Sequence, residues 1–216
     1  MSLRFKKVLI TAGPTWVPID SVRVISNTAS GATGILLAQS FSRLGAKVTL
    51  VLGPVGEVKL AESIKVIRFK FFKELKDILV FELRRTKYDT LIHSAAVSDY
   101  QPARPYNKKI KSGIKNLKLE LMPTEKLIDL IKKIDRNIFL VGFKFEPRAG
   151  QRALMRSAKN LIQRASCGLV VANTLRNNKY SAFVAGPLKK YIPVSTKKNL
   201  VKMLCALIDR RERCLI

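Results

Sequence analysis

The sequence reads VLITAGPT at residues 8–15 and ISNTASGATG at residues 25–34, and these two stretches decide the fold. The first is an apolar run that ends in a glycine, which predicts a buried strand followed by a tight turn. The second is a loop of small residues before an amphipathic segment, which predicts the N-terminus of a helix. Unpaired N–H groups at a helix N-terminus attract anions, and glycine lets a ligand approach the backbone closely. Together the two stretches indicate a strand–loop–helix unit that binds phosphate.

Apolar runs and helical periods alternate along almost the whole chain of 216 residues. This alternation predicts an α/β fold, a Rossmann-like, mostly parallel sheet with helices on both faces, and we expect one domain over residues 1–216. Residues 180–186 and 190–195 flank a Gly-Pro pair and predict a C-terminal β-hairpin. The predicted strands are 8–10, 48–52, 64–69, 90–96, 117–122, 139–145 and 169–172, and the predicted helices are 35–44, 72–85, 125–134, 148–165 and 198–210.

Ligands of such sheets bind beyond the carboxyl ends of the strands. Gly13, residues 96–99, residues 143–146 and Asn173 each lie at or just after the end of a predicted strand, so we expect chemistry to gather there. Residues 101–115 have no regular period, contain two prolines and are rich in lysine. We call this segment the flap, because a long irregular loop in a compact domain is often functional.

The formal net charge is +26, from 41 Lys and Arg against 15 Asp and Glu. This charge fits an anionic substrate, a nucleic-acid partner or simply a lysine-rich composition. The chain has no basic tail and no nucleic-acid motif, but we expect nonspecific binding to nucleic acid in vitro.

Composition also limits location and metal chemistry. No apolar run approaches the roughly 18 residues that cross a bilayer, so we expect no membrane association. Cys167, Cys205 and Cys214 are widely spaced and form no CxxC pair, which predicts neither disulfides nor a metal site of protein ligands and fits the cytoplasm.

Seven motifs carry a resemblance that runs nearly end to end: residues 11–15, 18–23, 25–34, 94–100, 109–111, 141–143 and 171–173. In this order and spacing they resemble phosphopantothenoylcysteine synthetase of coenzyme A biosynthesis. The resemblance implies a ligase that couples 4′-phosphopantothenate to cysteine through an acyl-nucleotide, with CTP or ATP as co-substrate and Mg²⁺ as cofactor. It also implies a homodimer and no flavin. Many bacterial relatives carry an N-terminal flavin-dependent decarboxylase half, which we expect to be absent here because the sequence begins at the synthetase strand.

The resemblance also selects site residues. It implies that Asn27 supports the amide-forming step and that Lys109, in the flap, contacts the triphosphate, with Lys108 and Lys111 as neighbours that could take its place. The remaining nucleotide-binding positions that it implies are Gly13, Ser30, Gly31, Gly34, Ala96, Asp99, Pro123, Thr124, Phe143, Lys159 and Arg164.

Each of these residues also has a purely structural interpretation. Asn27 and Asp99 suit turns, Ser30 suits a helix cap, and Phe143 suits the core. We expect His93, the only histidine, to be packed or hydrogen-bonded rather than catalytic. In the predicted helix 148–165, one face carries Leu154, Ala158, Leu161, Ile162 and Ala165, and the opposite face carries Arg148, Arg152, Arg156 and Lys159, which would hold phosphates or simply be solvated.

Three alternatives stay open at this stage. An NAD(P)-dependent Rossmann-fold oxidoreductase is disfavoured because the first strand lacks GxGxxG and Gly53-Pro54 stands where an acid would bind ribose. The charge permits a basic nucleic-acid-binding protein. Departures from the family pattern at Trp16, Val17, Ala29 and the Lys159–Arg164 region leave room for a chain without ligase activity.

Overall fold

The computed structural model describes residues 3–177, 179–187 and 191–213. Within these residues, the apolar runs and helical repeats of the sequence form five helices and twelve strands. The strands are β1 (Lys7–Ala12), β2 (Trp16–Pro18), β3 (Val24–Ser26), β4 (Lys47–Leu52), β5 (Ile64–Arg68), β6 (Thr90–His93), β7 (Tyr100–Pro102), β8 (Leu121–Pro123), β9 (Phe139–Phe145), β10 (Leu169–Arg176), β11 (Lys179–Ala185) and β12 (Tyr191–Val194). The helices are α1 (Ala32–Arg43), α2 (Phe72–Arg85), α3 (Leu127–Ile134), α4 (Gln151–Ala165) and α5 (Lys197–Arg213).

The central sheet has eight strands in the order β12-β11-β10-β9-β6-β1-β4-β5. The six strands from β10 to β5 are parallel, and β11 and β12 add an antiparallel hairpin at one edge. The chain runs outward from β1 through β4 to β5, then returns to β6 on the other side of β1. A crevice therefore opens between the carboxyl ends of β1 and β6, where an open α/β sheet binds its ligand. The predicted fold class is confirmed.

Helices cover both faces of this sheet, as the parallel arrangement requires. One apolar core lies under α1 and α5, and Leu37, Phe41 and Leu204 are fully buried in it. The second core lies under α2, α3 and α4, with Leu79, Ile131 and Leu154 buried. None of the helices in the described part of the chain has the length and apolar character that a bilayer crossing demands.

Two predicted strands differ from the observed ones. β6 ends at His93 instead of residue 96, because Ser94 turns away and its N–H and hydroxyl both donate to Thr11 O, at 3.1 and 2.6 Å. Residues 117–122 were predicted as a strand of the main sheet. Only Leu121–Pro123 is extended there, in a separate ribbon with β7, and its side chains are exposed.

Other boundaries shift as well. β10 continues through Asn173 to Arg176, because it pairs antiparallel with β11, so Asn173 lies inside a strand and not at its end. α4 begins at Gln151 instead of residue 148, and α3 begins at Leu127 instead of residue 125. The predicted helix 72–85 is confirmed as α2. Residue 190 of the predicted hairpin and Cys214 lie outside the described residues.

Candidate functional site

The turns that follow β1 and β6 are joined by their backbones at the crevice. Ala96 N–H donates to Gly13 O at 2.9 Å, and Thr15 N–H donates to Ala96 O at 3.2 Å. Gly13 has a φ of 82°, and a Cβ atom there would lie 3.2 Å from the backbone of Gly53. This turn therefore needs glycine, and the structure brings the predicted residues Gly13 and Ala96 together.

The small-residue loop before α1 packs on the same turn. Gly31 is the N-cap of α1 with a φ of 68°, and a Cβ atom there would lie 3.2 Å from Gly13 N. Ser30 is not the cap, because its hydroxyl makes only a 3.4 Å contact with Ala32 N–H. The N–H groups of the first helical turn have no partner within the helix and lie directly after Gly31, where an anion would find them.

Gly34 has a packing role. A Cβ atom there would lie 2.5 Å from Ala12 Cβ and 2.7 Å from Ser94 Oγ. No such contact is tolerated, so glycine is what lets α1 approach β1 and the turn after β6. The position faces these neighbours, and its predicted contact with nucleotide stays a prediction.

Asn27 joins the loop before α1 to the turn after β6. Its Nδ2 donates to Ala96 O at 3.0 Å, and the residue is otherwise exposed. An amide has two donor hydrogens and one acceptor oxygen, so one N–H and Oδ1 remain for other partners. The only side-chain amide of this loop is thus oriented by the backbone of the opposite turn.

His93 lies at the end of β6 and is buried. Its Nδ1 is 2.9 Å from Thr11 Oγ1, which also accepts a hydrogen bond from Ala95 N–H at 3.2 Å. Desolvation by burial lowers the pKa of His93 to about 4, so the ring is neutral at pH 7. The expectation that this histidine is packed and hydrogen-bonded is confirmed.

A chain of hydrogen bonds joins Thr15 and Ser98, for which the sequence predicts no individual role, to the predicted nucleotide-binding residue Thr124. Thr15 Oγ1 accepts from Ser98 N–H at 2.9 Å, and Thr124 Oγ1 donates to Ser98 O at 2.6 Å. All three residues are buried. They connect the turns after β1, β6 and β8, and the only sequence signal for Thr15 and Ser98 is that they lie in the motifs at residues 11–15 and 94–100.

Asp99 and Pro123 lie beside this chain. Thr124 N–H donates to Asp99 O at 2.9 Å, and Pro123 is paired with Tyr100 between β8 and β7. The Asp99 side chain is 65% exposed and accepts a hydrogen bond from Lys126 Nζ at 2.6 Å. The carboxylate is therefore open to solvent with a cation beside it, three residues beyond Ala96.

The flap is anchored to the segment between β2 and β3. Tyr106 N–H donates to Ile19 O at 2.9 Å, and Ile110 N–H donates to Asp20 Oδ2 at 3.0 Å. Within residues 103–115 Ile110 is the one buried residue, and Lys109 beside it is exposed. Flap residues 106–114 line a cavity of about 620 Å³.

Asp20 itself is buried under this contact. Its carboxylate also accepts from the N–H groups of Val22 and Arg23, at 2.8 and 2.7 Å, and from Arg23 Nη1 at 2.5 Å. Hydrogen bonds to the ionised form, first that from Ile110 N–H, hold the pKa of Asp20 far below its usual range against the opposing effect of burial. Asp20 is ionised at every pH at which the domain would work.

The remaining predicted residues lie on β9 and α4. Phe143 is half-buried on β9, one residue beyond the position paired with His93, and packs against the core under α1. The predicted faces of α4 are observed, with Leu154, Ala158, Leu161 and Ala165 buried and Arg152, Arg156 and Lys159 exposed.

Arg164 lies near the C-terminal end of α4. Its Nε donates to Asp129 Oδ1 at 3.2 Å, so a carboxylate already engages it. Ser157 Oγ donates to Glu146 Oε1 at 3.1 Å, directly after β9. Arg164 lies seven residues beyond Ser157, which is about 10 Å along the helix axis at 1.5 Å per residue. The structure does not bring Arg164 to the carboxyl ends of the strands, and Lys159 is the better placed of the two.

Among the residues that the structure describes, neither metal nor thiol chemistry has a preformed centre. In residues 3–177, 179–187 and 191–213, no group of three His, Cys, Asp or Glu side chains could hold a metal ion. Burial raises the pKa of Cys167 and of Cys205 to about 12, so both thiols are protonated and unreactive.

Comparison with known proteins gives one consistent result. Residues 3–208 match the family model described as the DNA/pantothenate metabolism flavoprotein C-terminal domain. The chain belongs to this family. The predicted resemblance to phosphopantothenoylcysteine synthetase is therefore confirmed at the level of the domain type, and the oxidoreductase alternative is set aside.

Curated relatives agree with this assignment. The chain is 37% identical over 213 residues, or 97% of its length, to the coenzyme A biosynthesis bifunctional protein CoaBC of Thermococcus kodakarensis. It is 38% identical over 176 residues to a cysteine/cysteine sulfinic acid decarboxylase from an unknown prokaryotic organism, covering 81% of this chain and 47% of that one. The chain spans about half the length of these relatives, 52% in the case of CoaBC.

Solved structures share the fold. A DNA/pantothenate metabolism flavoprotein from Streptococcus pneumoniae superposes with a TM-score of 0.86 and 25% identity, over 95% of this chain and 99% of the other. A Cab2 mutant in complex with phosphopantothenate-cysteine superposes with a TM-score of 0.74 and 20% identity, over 95% and 87% of the two chains.

Proposed function

We propose that this domain is a ligase that couples 4′-phosphopantothenate to cysteine through an acyl-nucleotide, with CTP or ATP as co-substrate. The observation that carries the proposal is the junction at the crevice, where Gly31 packs on Gly13 and Asn27 donates to Ala96 O at 3.0 Å. The turn after β1, the turn after β6 and the first turn of α1 thus share one point. Family membership supports this chemistry over other uses of the same fold.

The reaction has two displacements. A carboxylate oxygen of phosphopantothenate attacks the α-phosphorus of the nucleotide, and pyrophosphate leaves. The cysteine amine then attacks the acyl carbon, an N–C bond forms, the acyl–phosphate bond breaks, and the nucleoside monophosphate leaves with the electron pair. The domain contributes positioning and charge neutralisation to both steps, since the mixed anhydride is itself a good acylating agent.

Asn27 suits the second displacement. With one N–H held by Ala96 O, its Oδ1 is oriented to accept a hydrogen bond from the incoming amine, and its second N–H can donate to the acyl oxygen. Because this oxygen gains negative charge as the amine attacks, such a donor stabilises the transition state more than the ground state.

Lys109 suits the first displacement. The exposed ammonium sits on the flap beside the buried Ile110, and a cation there would neutralise charge on the departing pyrophosphate. Movement of the flap over the crevice would also exclude water from the anhydride. Asp99 would accept from ribose hydroxyls and Phe143 would pack against the base, which leaves CTP and ATP as equal candidates.

Mg²⁺ fits this site as a companion of the triphosphate. The described residues hold no cluster of metal ligands, and Mg²⁺ commonly binds through phosphates and water with one or two carboxylates. Asp99, 65% exposed and three residues beyond Ala96, is the carboxylate that would contact its water shell. When bound, the ion would neutralise phosphate charge.

The decisive assay is pyrophosphate release with phosphopantothenate and either CTP or ATP, with and without cysteine. We expect release with at least one nucleotide, and amide product only when cysteine is added. Lys109→Gln should lower turnover far more than Lys198→Gln, a matched change of an exposed lysine at the start of α5. A wild-type domain that releases no pyrophosphate with either nucleotide would contradict the proposal.

We also propose that the domain pairs with a second copy of itself. Two antiparallel ribbons, β2 with β3 and β7 with β8, lie outside the main sheet. Eight of the thirteen exposed large apolar side chains in the described residues lie in these ribbons, in the flap and in the segment that joins the flap to β8, and such a concentration marks an interaction surface. They are Val22, Val24, Tyr100, Tyr106, Ile114, Leu117, Leu121 and Met122.

Sedimentation velocity tests this pairing. We expect a dimer at micromolar concentration, and a monomer after Leu121→Asp with Met122→Asp. Phe81→Asp, which changes an exposed apolar residue of α2, is the control and should leave the dimer intact. A wild-type monomer would rule the pairing out.

A further inference from the structure

Asp20 lies where the β2–β3 ribbon meets the flap. Its side chain has no solvent exposure. By contrast, most of its neighbours in the β2–β3 segment and most residues of the flap are exposed. Four N–H donors reach its two oxygens, which fills the acceptor capacity of a carboxylate. So complete a set of partners indicates a fixed point in an otherwise solvent-exposed part of the domain.

The two oxygens have different tasks. Oδ1 accepts from Val22 N–H and Arg23 N–H and closes the local turn. Oδ2 accepts from Ile110 N–H at 3.0 Å and from the Arg23 guanidinium. The same guanidinium donates to Ile110 O at 3.3 Å, so both backbone polar groups of Ile110 are held from the ribbon.

This contact fixes the backbone next to Lys109. Consecutive Cα atoms are about 3.8 Å apart, so a pinned Ile110 limits the position of Lys109 to one residue's reach. Tyr106 N–H, bonded to Ile19 O at 2.9 Å, provides the next anchor, and residues 107–109 arch between the two. Without the anchor at Ile110 the ammonium would be free to sample a much wider region.

We propose that Asp20 is a positioning residue of the ligase, which holds the flap at Ile110 so that Lys109 meets the triphosphate. This role rests on the proposed function. Asp20 would act on the reaction only through the position of Lys109 and would not itself contact the substrate.

Asp20→Asn is the sharpest perturbation. The remaining oxygen can keep the turn bonds to Val22 and Arg23, whereas an amide nitrogen in place of Oδ2 would face two donors and accept from neither. The control is Asp135→Asn, because Asp135 Oδ1 closes a turn of the same kind, with Asn137 N–H and Ile138 N–H at 2.9 and 3.2 Å, away from the flap. Ile110→Pro removes the flap donor and leaves the carboxylate intact, so it replaces Asp20→Asn if that variant fails to fold.

Two measurements separate positioning from general stability. Hydrogen exchange at the Ile110 amide should be at least about tenfold faster in Asp20→Asn, since a tenfold change corresponds to about 1.4 kcal/mol, near the value of a hydrogen bond to a charged group. kcat/KM for the nucleotide should fall at least about tenfold while the Asp135→Asn control matches wild type. The Asp20→Asn, Lys109→Gln double variant should be no worse than Lys109→Gln alone, because both changes remove the same interaction.

Each other outcome has a definite meaning. If the wild type is active and Asp20→Asn keeps its nucleotide kcat/KM, or if the double variant shows additive losses, the positioning role is wrong and the proposed function stands. If Ile110 exchange is unchanged, Asp20 does not hold the flap. If the wild type releases no pyrophosphate, the proposed function fails and the role of Asp20 fails with it.

Discussion

Replacement of Gly31 by alanine tests whether the loop before α1 is both strained and functional. Gly31 has a φ of 68°, and a new Cβ atom would lie 3.2 Å from Gly13 N and 3.2 Å from Val55 Cγ1. A left-handed conformation costs an L-residue about 1–2 kcal/mol, and the loss of backbone freedom in the unfolded chain returns about 0.4–1 kcal/mol. With a few tenths more for crowding, we expect the free energy of unfolding to fall by about 1 kcal/mol, which lowers Tm by about 2–4 °C.

The same substitution should reach the proposed nucleotide site. Crowding against Gly13 moves the loop away from the turn after β1, and the N–H groups of the first turn of α1 move with it. We expect kcat/KM for the nucleotide to fall by about tenfold, equivalent to about 1.4 kcal/mol. Gly56→Ala is the matched control, because Gly56 has no neighbour within 4 Å of a new Cβ and no positive φ.

Urea unfolding and pyrophosphate release give the two readouts. If Gly31→Ala matches Gly56→Ala in both, the reasoning about this loop is refuted. If only the stability falls, the loop is strained but does not contact the nucleotide, and the candidate site lies elsewhere in the crevice.

Three further predictions follow from other parts of the site. The pKa of His93 is about 4 in the folded domain, against the ordinary histidine value of 6.5. As pH falls from about 6.5 to 4 the unfolded chain therefore takes up a proton first, and the wild type should lose about 3 kcal/mol of stability over this range. We expect His93→Gln to lose less stability than the wild type in urea titrations over the same pH range. Equal pH slopes for the two chains would argue against a buried neutral ring. Asn27→Asp should retain pyrophosphate release better than amide formation, since a carboxylate would repel the acyl-nucleotide and donate no hydrogen bond, and equal retention of both steps would remove Asn27 from the second step. Titration with random duplex DNA should show binding that falls steeply between 50 and 200 mM salt, as counterion release requires; affinity that survives 200 mM salt would revive the nucleic-acid alternative.

Much of the fold was predictable because burial leaves a periodic record in the sequence. The run at residues 139–145 and the helix at residues 72–85 have the predicted bounds, since a mostly apolar run marks the first and the repeat of Leu75, Leu79 and Leu83 marks the second. The alternation at residues 117–122 predicts a strand over the whole segment, but only Leu121–Pro123 is extended, and the side chains of Leu121 and Met122 are exposed in a ribbon outside the sheet. Antiparallel pairing with β11 lengthened β10 beyond any local signal.

In the candidate site, too, the structure brings some of the predicted residues together and leaves one of them apart. The resemblance implies that Gly13, Gly31, Asn27 and Ala96 belong to the site, and the structure brings all four together. The resemblance assigns Arg164 to the nucleotide site, but the structure pairs its guanidinium with Asp129 on a different helix, α3.

The sequence by itself determined the order and type of the helices and of the main-sheet strands, the turns that need glycine and the family to which the chain belongs, because those depend on residues near one another along the chain. Only the tertiary structure decided which turns meet. Asp20 and Ile110 are 90 positions apart, and Thr15 and Ser98 are 83 apart. Their contacts exist because β1 and β6 lie side by side at the centre of the sheet, and strand order is set by the packing of the whole domain and not by any local pattern.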